Sequence, residues 1–223
     1  MEMNPVHVSL FAAFRGALAG KTIGRTIFNE FVRVRCADIS GRVLDLAGGA
    51  NPSYLPLLPK NIEIVRTDKT PSKGVEAVDI NADLSFPDAS FDAVLFFNAV
   101  YIAEDPERVL REIRRILKPS GAFYLSSPFV GNEMPEPHDY ARYTAEGLER
   151  MCRKAGFSRA LIERMGERAS AAAQIKHPFY LSNIIRAFIY PLAILLDGII
   201  PERARKAHPM PIGYFVRAIK NNP

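Results

Sequence analysis

The chain has 223 residues, with 29 Lys and Arg against 24 Asp and Glu, a formal net charge of +5 and 48% apolar residues. That balance excludes a disordered, collagen-like or disulfide-scaffolded chain, and the length suffices for one domain with a well-buried core. Cys36 and Cys152 lie 116 positions apart with no Cys or His at ligand spacing, which speaks against a zinc site and fits a reducing cytosol, while so small a positive surplus admits an anionic substrate or a membrane surface and does not announce a nucleic-acid binder.

Val6, Leu10, Phe11, Phe14 and Leu18 recur at helical spacing and predict an amphipathic helix, followed by a second around Ile23 to Val34. Residues 1–40 therefore read as an N-terminal helical segment. No cationic region precedes the apolar stretch, so a cleaved signal peptide is not expected.

From Gly41 onward short apolar runs alternate with helical patterns, the signature of a parallel α/β sheet. Arg42 to Ala47 is a strand ended by Gly48-Gly49. Ser53 to Leu58 forms a short helix stopped by Pro59. Ile62 to Thr67 and a short Val75 to Asp79 are the next strands, and Phe91 to Phe97 is a continuous apolar one, as expected when both faces are covered. Asp105 to Leu117 is a helix: Asp105 can cap it, Pro106 suits its first turn, and Val109, Leu110, Ile113, Ile116 and Leu117 share a face. Pro119-Ser120-Gly121 ends it, and Ala122 to Ser126 is a strand. Thr144 opens another helix, with Gly156 as its C-terminal cap. Phe157 to Glu163 and Gly213 to Lys220 complete seven strands, the last set antiparallel after a long excursion. The fold predicted is Rossmann-like α/β: a seven-stranded, mostly parallel sheet with helices on both faces over 41–223, and a helical insertion at 168–210.

Within that insertion, Phe179 to Ile200 is the most apolar stretch. Its longest uncharged run, Ala187 to Leu196, is ten residues, half of what a bilayer requires, with Arg186 and Asp197 at its ends and Pro191 set to kink it. It does not read as a spanning helix. Two readings stand: a helix packed on its own domain or on a second subunit, or a membrane-surface helix whose following Arg203, Arg205, Lys206 and His208 meet anionic headgroups.

The chemistry concentrates at strand ends. Val43 to Pro52 (VLDLAGGANP) is a strand ending in Asp, a small-residue turn and a helix start, an arrangement in which backbone N–H groups can approach a nucleotide. Asp68 ends the next strand, 23 residues after Asp45, where a carboxylate can accept ribose hydroxyls. Asp79-Ile80-Asn81, the run Leu84 to Val94 (LSFPDASFDAV) and Leu117-Lys118-Pro119-Ser120-Gly121 follow in order. Together these resemble the class I S-adenosylmethionine-dependent methyltransferases, in particular the small-molecule methyltransferases whose pattern reads VLDLGCGxG … D … LPFPDNSFDxV … LKPGG. The likeness runs from Gly41 to about Phe157. It departs from the family at the turn after Asp45, where Ala47-Gly48-Gly49-Ala50-Asn51 keeps only the middle glycine of Gly-x-Gly-x-Gly. Asn51 is the residue expected there to take a positive φ.

The resemblance implies a methyltransferase that binds S-adenosyl-L-methionine across the carboxyl ends of the first and fourth strands. Asp45 and the backbone of Ala47, Gly48 and Gly49 would hold its amino-acid part, Asp68 its ribose, Asp79 and Ile80 its adenine, and Asn98 would face the sulfonium. No metal is required. The acceptor side falls to Pro128 to Thr144, whose HDYARYT run is similar to a segment of methyltransferases linked to cell-surface sugar or lipid pathways. The catalytic candidates are His138, Asp139, Tyr140 and Arg142: His138 as general base oriented by Asp139 or Glu136, Arg142 pairing with an acceptor phosphate or carboxylate. Against this stands a structural Asp139–Arg142 ion pair that caps the next helix. The function implied is methyl transfer to a small-molecule acceptor in the cytoplasm, with peripheral membrane contact or a homodimer through 179–200. The alternatives are a non-catalytic member of the fold, an RNA methyltransferase and a dinucleotide oxidoreductase.

Overall fold

The computed structural model describes residues 5–221. Two N-terminal helices come first, α1 (Leu10–Leu18) and α2 (Ile23–Arg35), each started by a hydroxyl cap: Ser9 accepts from Ala12 N and Thr22 from Arg25 N. Then follow β1 (Arg42–Asp45), a 3₁₀ turn at Leu55–Leu57, β2 (Glu63–Asp68), β3 (Glu76–Ala77) and β4 (Phe91–Phe97). The second half adds α3 (Pro106–Ile116), β5 (Leu117–Pro128), α4 (Ala145–Lys154), β6 (Ala160–Met165), α5 (Arg168–Ile175), α6 (Asn183–Ile199), α7 (Glu202–Ala207) and β7 (Gly213–Ile219).

The strands form one seven-stranded sheet in the order β3-β2-β1-β4-β5-β7-β6. β1 pairs in parallel with β2 and with β4, so Asp45 lies level with Arg66 on one side and Leu95 on the other. The sheet thus grows outward in both directions from β1 and β4, which makes their carboxyl ends the topological switch point. β7 runs antiparallel: Ser120 N donates to Lys220 O (2.9 Å) and Lys220 N to Gly121 O (3.0 Å).

The chain divides into two compact units. Unit 2 comprises Ala37–Pro128, Glu133–Glu163 and Tyr214–Pro223 and holds the sheet. β1 and β4 are buried almost throughout, the pattern of strands covered on both faces. Phe123 stacks on Phe157 at 5.3 Å, and Phe97 packs between Tyr54 (5.1 Å) and Phe215 (5.7 Å). α3 begins as its sequence requires: Asp105 accepts from Arg108 N at 3.0 Å, and Val109, Leu110, Ile113 and Ile116 are its buried stripe. Unit 1 comprises Met1–Cys36, Phe129–Asn132 and Arg164–Gly213. Its interior is built from Ile23, Ile27, Phe31 and Val32 of α2, with Ala171 of α5 and Tyr190 of α6.

Several strands differ from the sequence reading: β1 ends at Asp45 rather than Ala47, and β6 runs over Ala160–Met165 rather than Phe157 to Glu163. β3 is only two residues long. β5 starts directly at Leu117, which pairs with Phe91, and the Pro119-Ser120-Gly121 turn is a bulge inside the strand, since Ala93 next pairs with Ala122. Ser120 takes a φ of +62° there. A Cβ on Gly121 would lie 2.8 Å from Lys118 O, so glycine is demanded by a close backbone approach.

Candidate functional site

The turn after β1 is threaded by the end of β2. The buried Thr67 hydroxyl donates to Asp45 O (3.1 Å) and accepts from Ala47 N (3.4 Å), while Gly48 N donates to Thr67 O (3.1 Å). The chain reverses through positive φ at Ala47 (+58°) and Gly49 (+76°). Asn51 is not the residue that takes this conformation: it precedes Pro52, whose ring drives its neighbour toward extended backbone. Ala47 carries a left-handed cost of about 1–2 kcal/mol that glycine would avoid.

Asp45 is fully buried. Its Oδ1 accepts from the Tyr54 hydroxyl at 2.6 Å, whereas its Oδ2 is buried with no hydrogen-bond partner among the described residues. That oxygen looks onto Gly48, where a Cβ would stand 2.2 Å away. Burial pushes the Asp45 carboxyl up to about 6, against the opposing pull of the Tyr54 hydrogen bond and the Arg66 charge. Asp68, half-buried at the end of β2, turns Oδ2 toward Gly49, 3.7 Å from a Cβ placed there, while Oδ1 accepts from Thr70 N (3.1 Å). Two carboxylates therefore flank the Gly48-Gly49 backbone.

The remaining predicted cofactor residues follow parallel strands and share this edge. Asp79 Oδ1 accepts from Asn81 N (2.9 Å); that hydrogen bond, with Lys69 nearby, holds its carboxyl below the ordinary range. Ile80 is buried, and its carbonyl accepts from Arg108 Nη2 of α3 (2.9 Å). Asn98, just past β4, sits at φ +51° with its N–H donated to Ser126 O at 2.9 Å.

The acceptor segment is fastened to the same edge by Tyr101, three residues after Asn98. Tyr101 O accepts from Tyr140 N (2.9 Å), and the Arg142 guanidinium lies 5.3 Å from the Tyr101 ring centre. Arg142 forms a two-pronged pair with Asp139, and Asp139 Oδ2 also accepts from Met134 N (2.8 Å). The pair lowers the Asp139 carboxyl and raises the Arg142 guanidinium. Asp139 is thus engaged with Arg142 and the Met134 backbone, and the cap of α4 is Thr144, which accepts from Gly147 N at 3.2 Å. His138 is exposed and stacks on the exposed Tyr140 at 5.2 Å. Tyr54, Thr67 and Tyr101 are the residues of this edge that sequence reasoning passed over; none belongs to a motif, and each matters through a partner far along the chain.

Chemically, the edge offers a buried carboxylate oxygen that no described residue satisfies and a second carboxylate one strand away. This is a donor set for a ligand with a cationic end and vicinal hydroxyls.

Residues 20–125 match the family model described as a methyltransferase domain. The uncharacterized methyltransferase YcgJ of Bacillus subtilis (strain 168) is 33% identical over 99 residues, which are 38% of this chain and 39% of that protein, so the match spans about two fifths of the relative's length. A structure described as a SAM dependent methyltransferase from Archaeoglobus fulgidus is similar with a TM-score of 0.60 and 22% identity, over 94% of this chain and 99% of that one. The [4+2]-cyclase SpnF is similar with a TM-score of 0.58 and 20% identity, over 100% of both chains. At these identities the structures speak for the fold.

Proposed function

We propose that this chain, which matches a methyltransferase domain over residues 20–125 and resembles a SAM dependent methyltransferase in fold, transfers a methyl group from S-adenosylmethionine to a small molecule. The observation that carries the reading is the buried, partnerless Oδ2 of Asp45 facing Gly48 beside Asp68. An unpaired buried carboxylate oxygen is costly, and a ligand that brings a cation or an N–H group to it removes the cost.

Asp45 and the backbone of Ala47, Gly48 and Gly49 hold the amino-acid part of the cofactor, Asp68 accepts from its ribose, Asp79 and Ile80 meet its adenine, and Asn98 faces its sulfonium. When bound, S-adenosylmethionine supplies an electrophilic methyl group for in-line displacement. The protein aligns the acceptor and excludes water. Asp139 and Arg142 clamp the acceptor segment onto Tyr101, and His138 takes the proton of a hydroxyl acceptor. The polar and aromatic character of this segment suits a sugar or lipid precursor.

Isothermal titration of the purified chain with S-adenosylmethionine tests the site. Binding that S-adenosylhomocysteine competes for, and that Asp68→Ala weakens by roughly tenfold to a hundredfold, supports it; the range is that of a lost charged hydrogen bond, about 1.5–3 kcal/mol. Unchanged affinity in Asp68→Ala removes that residue from the site. A second reading, chemistry other than methyl transfer on the same scaffold, is favoured by the full-length likeness to a [4+2]-cyclase. Cofactor binding without release of S-adenosylhomocysteine across a panel of hydroxyl, amine and carbon acceptors would favour it.

A further inference from the structure

Unit 1 carries the net positive charge: 12 Lys and Arg against 5 Asp and Glu, where unit 2 has 17 against 19. The same unit presents an apolar face built in an unusual sense. α1 and α6 pack on each other, and Asn183 Nδ2 donates to Leu18 O at 3.3 Å where the end of α1 meets the start of α6. The residues buried on α1 are small, namely Ala13, Gly16 and Ala17, with Gly16 against Thr26 of α2, and α6 buries Ala187 and Ala193 beside the larger Tyr190. The large apolar side chains point outward: Phe11 is 68% exposed on α1, and Phe188 and Ile199 are 70% and 69% exposed on α6, with Ile184 and Leu192 on the same stripe.

An amphipathic helix in water buries its large apolar residues. Small residues between helices with large ones outside is the arrangement of helices whose surroundings are themselves apolar. The charges of α6 are withdrawn from its outer face in keeping with this. The Arg186 guanidinium donates to Tyr180 O (2.8 Å) and Asn183 Oδ1 (2.9 Å), and Asp197 accepts from Ala169 N (2.8 Å) at the start of α5. Arg15 stands exposed on α1 over the Phe11 ring, and Lys176 before α6 and Arg203 after it are exposed, the last two without an acidic partner among the described residues. No helix among the described residues is long and apolar enough to cross a membrane.

We propose that the α1–α6 face docks unit 1 on the surface of an anionic lipid bilayer, with the apolar stripes lying at the headgroup boundary and Arg15, Lys176 and Arg203 against lipid phosphates. The excess of cations selects an anionic surface, and the absence of charge on the outer stripe of α6 suits burial among acyl chains. The inference does not depend on methyl transfer, because the face and its test lie outside the cofactor site.

Vesicle flotation of the full chain tests it, with phosphatidylcholine alone against phosphatidylcholine containing about one third phosphatidylglycerol, at about 0.1 M and about 0.5 M salt. The protein should float with the anionic vesicles, and at least tenfold less with neutral ones or at the higher salt. Phe11→Ser with Phe188→Ser and Leu192→Ser should abolish flotation while far-ultraviolet circular dichroism stays unchanged. Lys176→Glu with Arg203→Glu, exposed positions that carry no core packing, should weaken it severalfold and keeps the test sharp if the triple variant misfolds. Failure to float with either vesicle overturns the proposal, as does equal binding to both. A wild-type dimer in light scattering that does not float, and that the triple variant converts to monomer, assigns the face to a second copy instead.

Discussion

At the scale of single residues, Asp45 couples stability to ligand binding. Its folded-state pKa is raised to about 6 by burial, so the folded protein holds this proton more tightly than the unfolded chain does. The contribution is present at low pH and is lost as pH rises through the interval up to about 6, a penalty of order 3 kcal/mol above it. Asp45→Asn should therefore melt several degrees higher than wild type at pH 8 and nearly level with it at pH 4, as thermal denaturation would show. The same substitution removes the carboxylate that the ligand is proposed to use. Affinity for S-adenosylmethionine should rise with pH up to about 6 in wild type, level off above it, and be weak and flat with pH in Asp45→Asn when followed by titration calorimetry. Asp45 and Asp68 are legible from the sequence because each ends a strand. Tyr54 and Thr67 are not: the hydroxyl that satisfies Asp45 Oδ1 arrives from nine positions on, and the one that ties the turn from the neighbouring strand.

At the scale of elements, the ends of helices are read most directly, because a cap is a contact over three residues. Asp105 and Thr144 occupy the capping positions their sequence assigns. Thr144→Ala should cost about 1 kcal/mol in urea unfolding. The start of β5 was not legible. Pro-Ser-Gly signals a turn, and a turn ends an element unless a neighbouring strand pairs on both sides of it, as β4 does here. Gly121→Ala tests that bulge: its Cβ meets backbone rather than a movable side chain, so a loss of roughly 1–3 kcal/mol is expected in the same urea experiment. The acceptor segment shows the same division. The Asp139–Arg142 spacing suggested a pair, and the pair forms, but its anchorage to Tyr101 and Met134 comes from loops that meet only in the folded chain.

At the scale of the whole molecule, a net charge of +5 conceals two units of opposite balance. Cofactor affinity and vesicle binding are assigned to different units. The triple serine variant of α1 and α6 should accordingly keep its dissociation constant for S-adenosylmethionine within about twofold while losing flotation, since its substitutions lie in unit 1 and share no partner with the cofactor residues of unit 2. What the sequence determined by itself is the layered architecture and the strand-end carboxylates. Alternating apolar runs and local caps dictate them, and parallel pairing puts the carboxyl ends of β1, β2 and β4 on one edge. What only the tertiary structure decided is the sense in which α1 and α6 are turned. Alanine, leucine and phenylalanine are all apolar, so the pattern of residues 179–200 admits either face as the inner one. The choice is made by packing: α1 buries Ala13, Gly16 and Ala17, with Gly16 against Thr26 of α2, and α6 buries Ala187, Tyr190 and Ala193, which leaves Phe11, Phe188 and Ile199 on the outside.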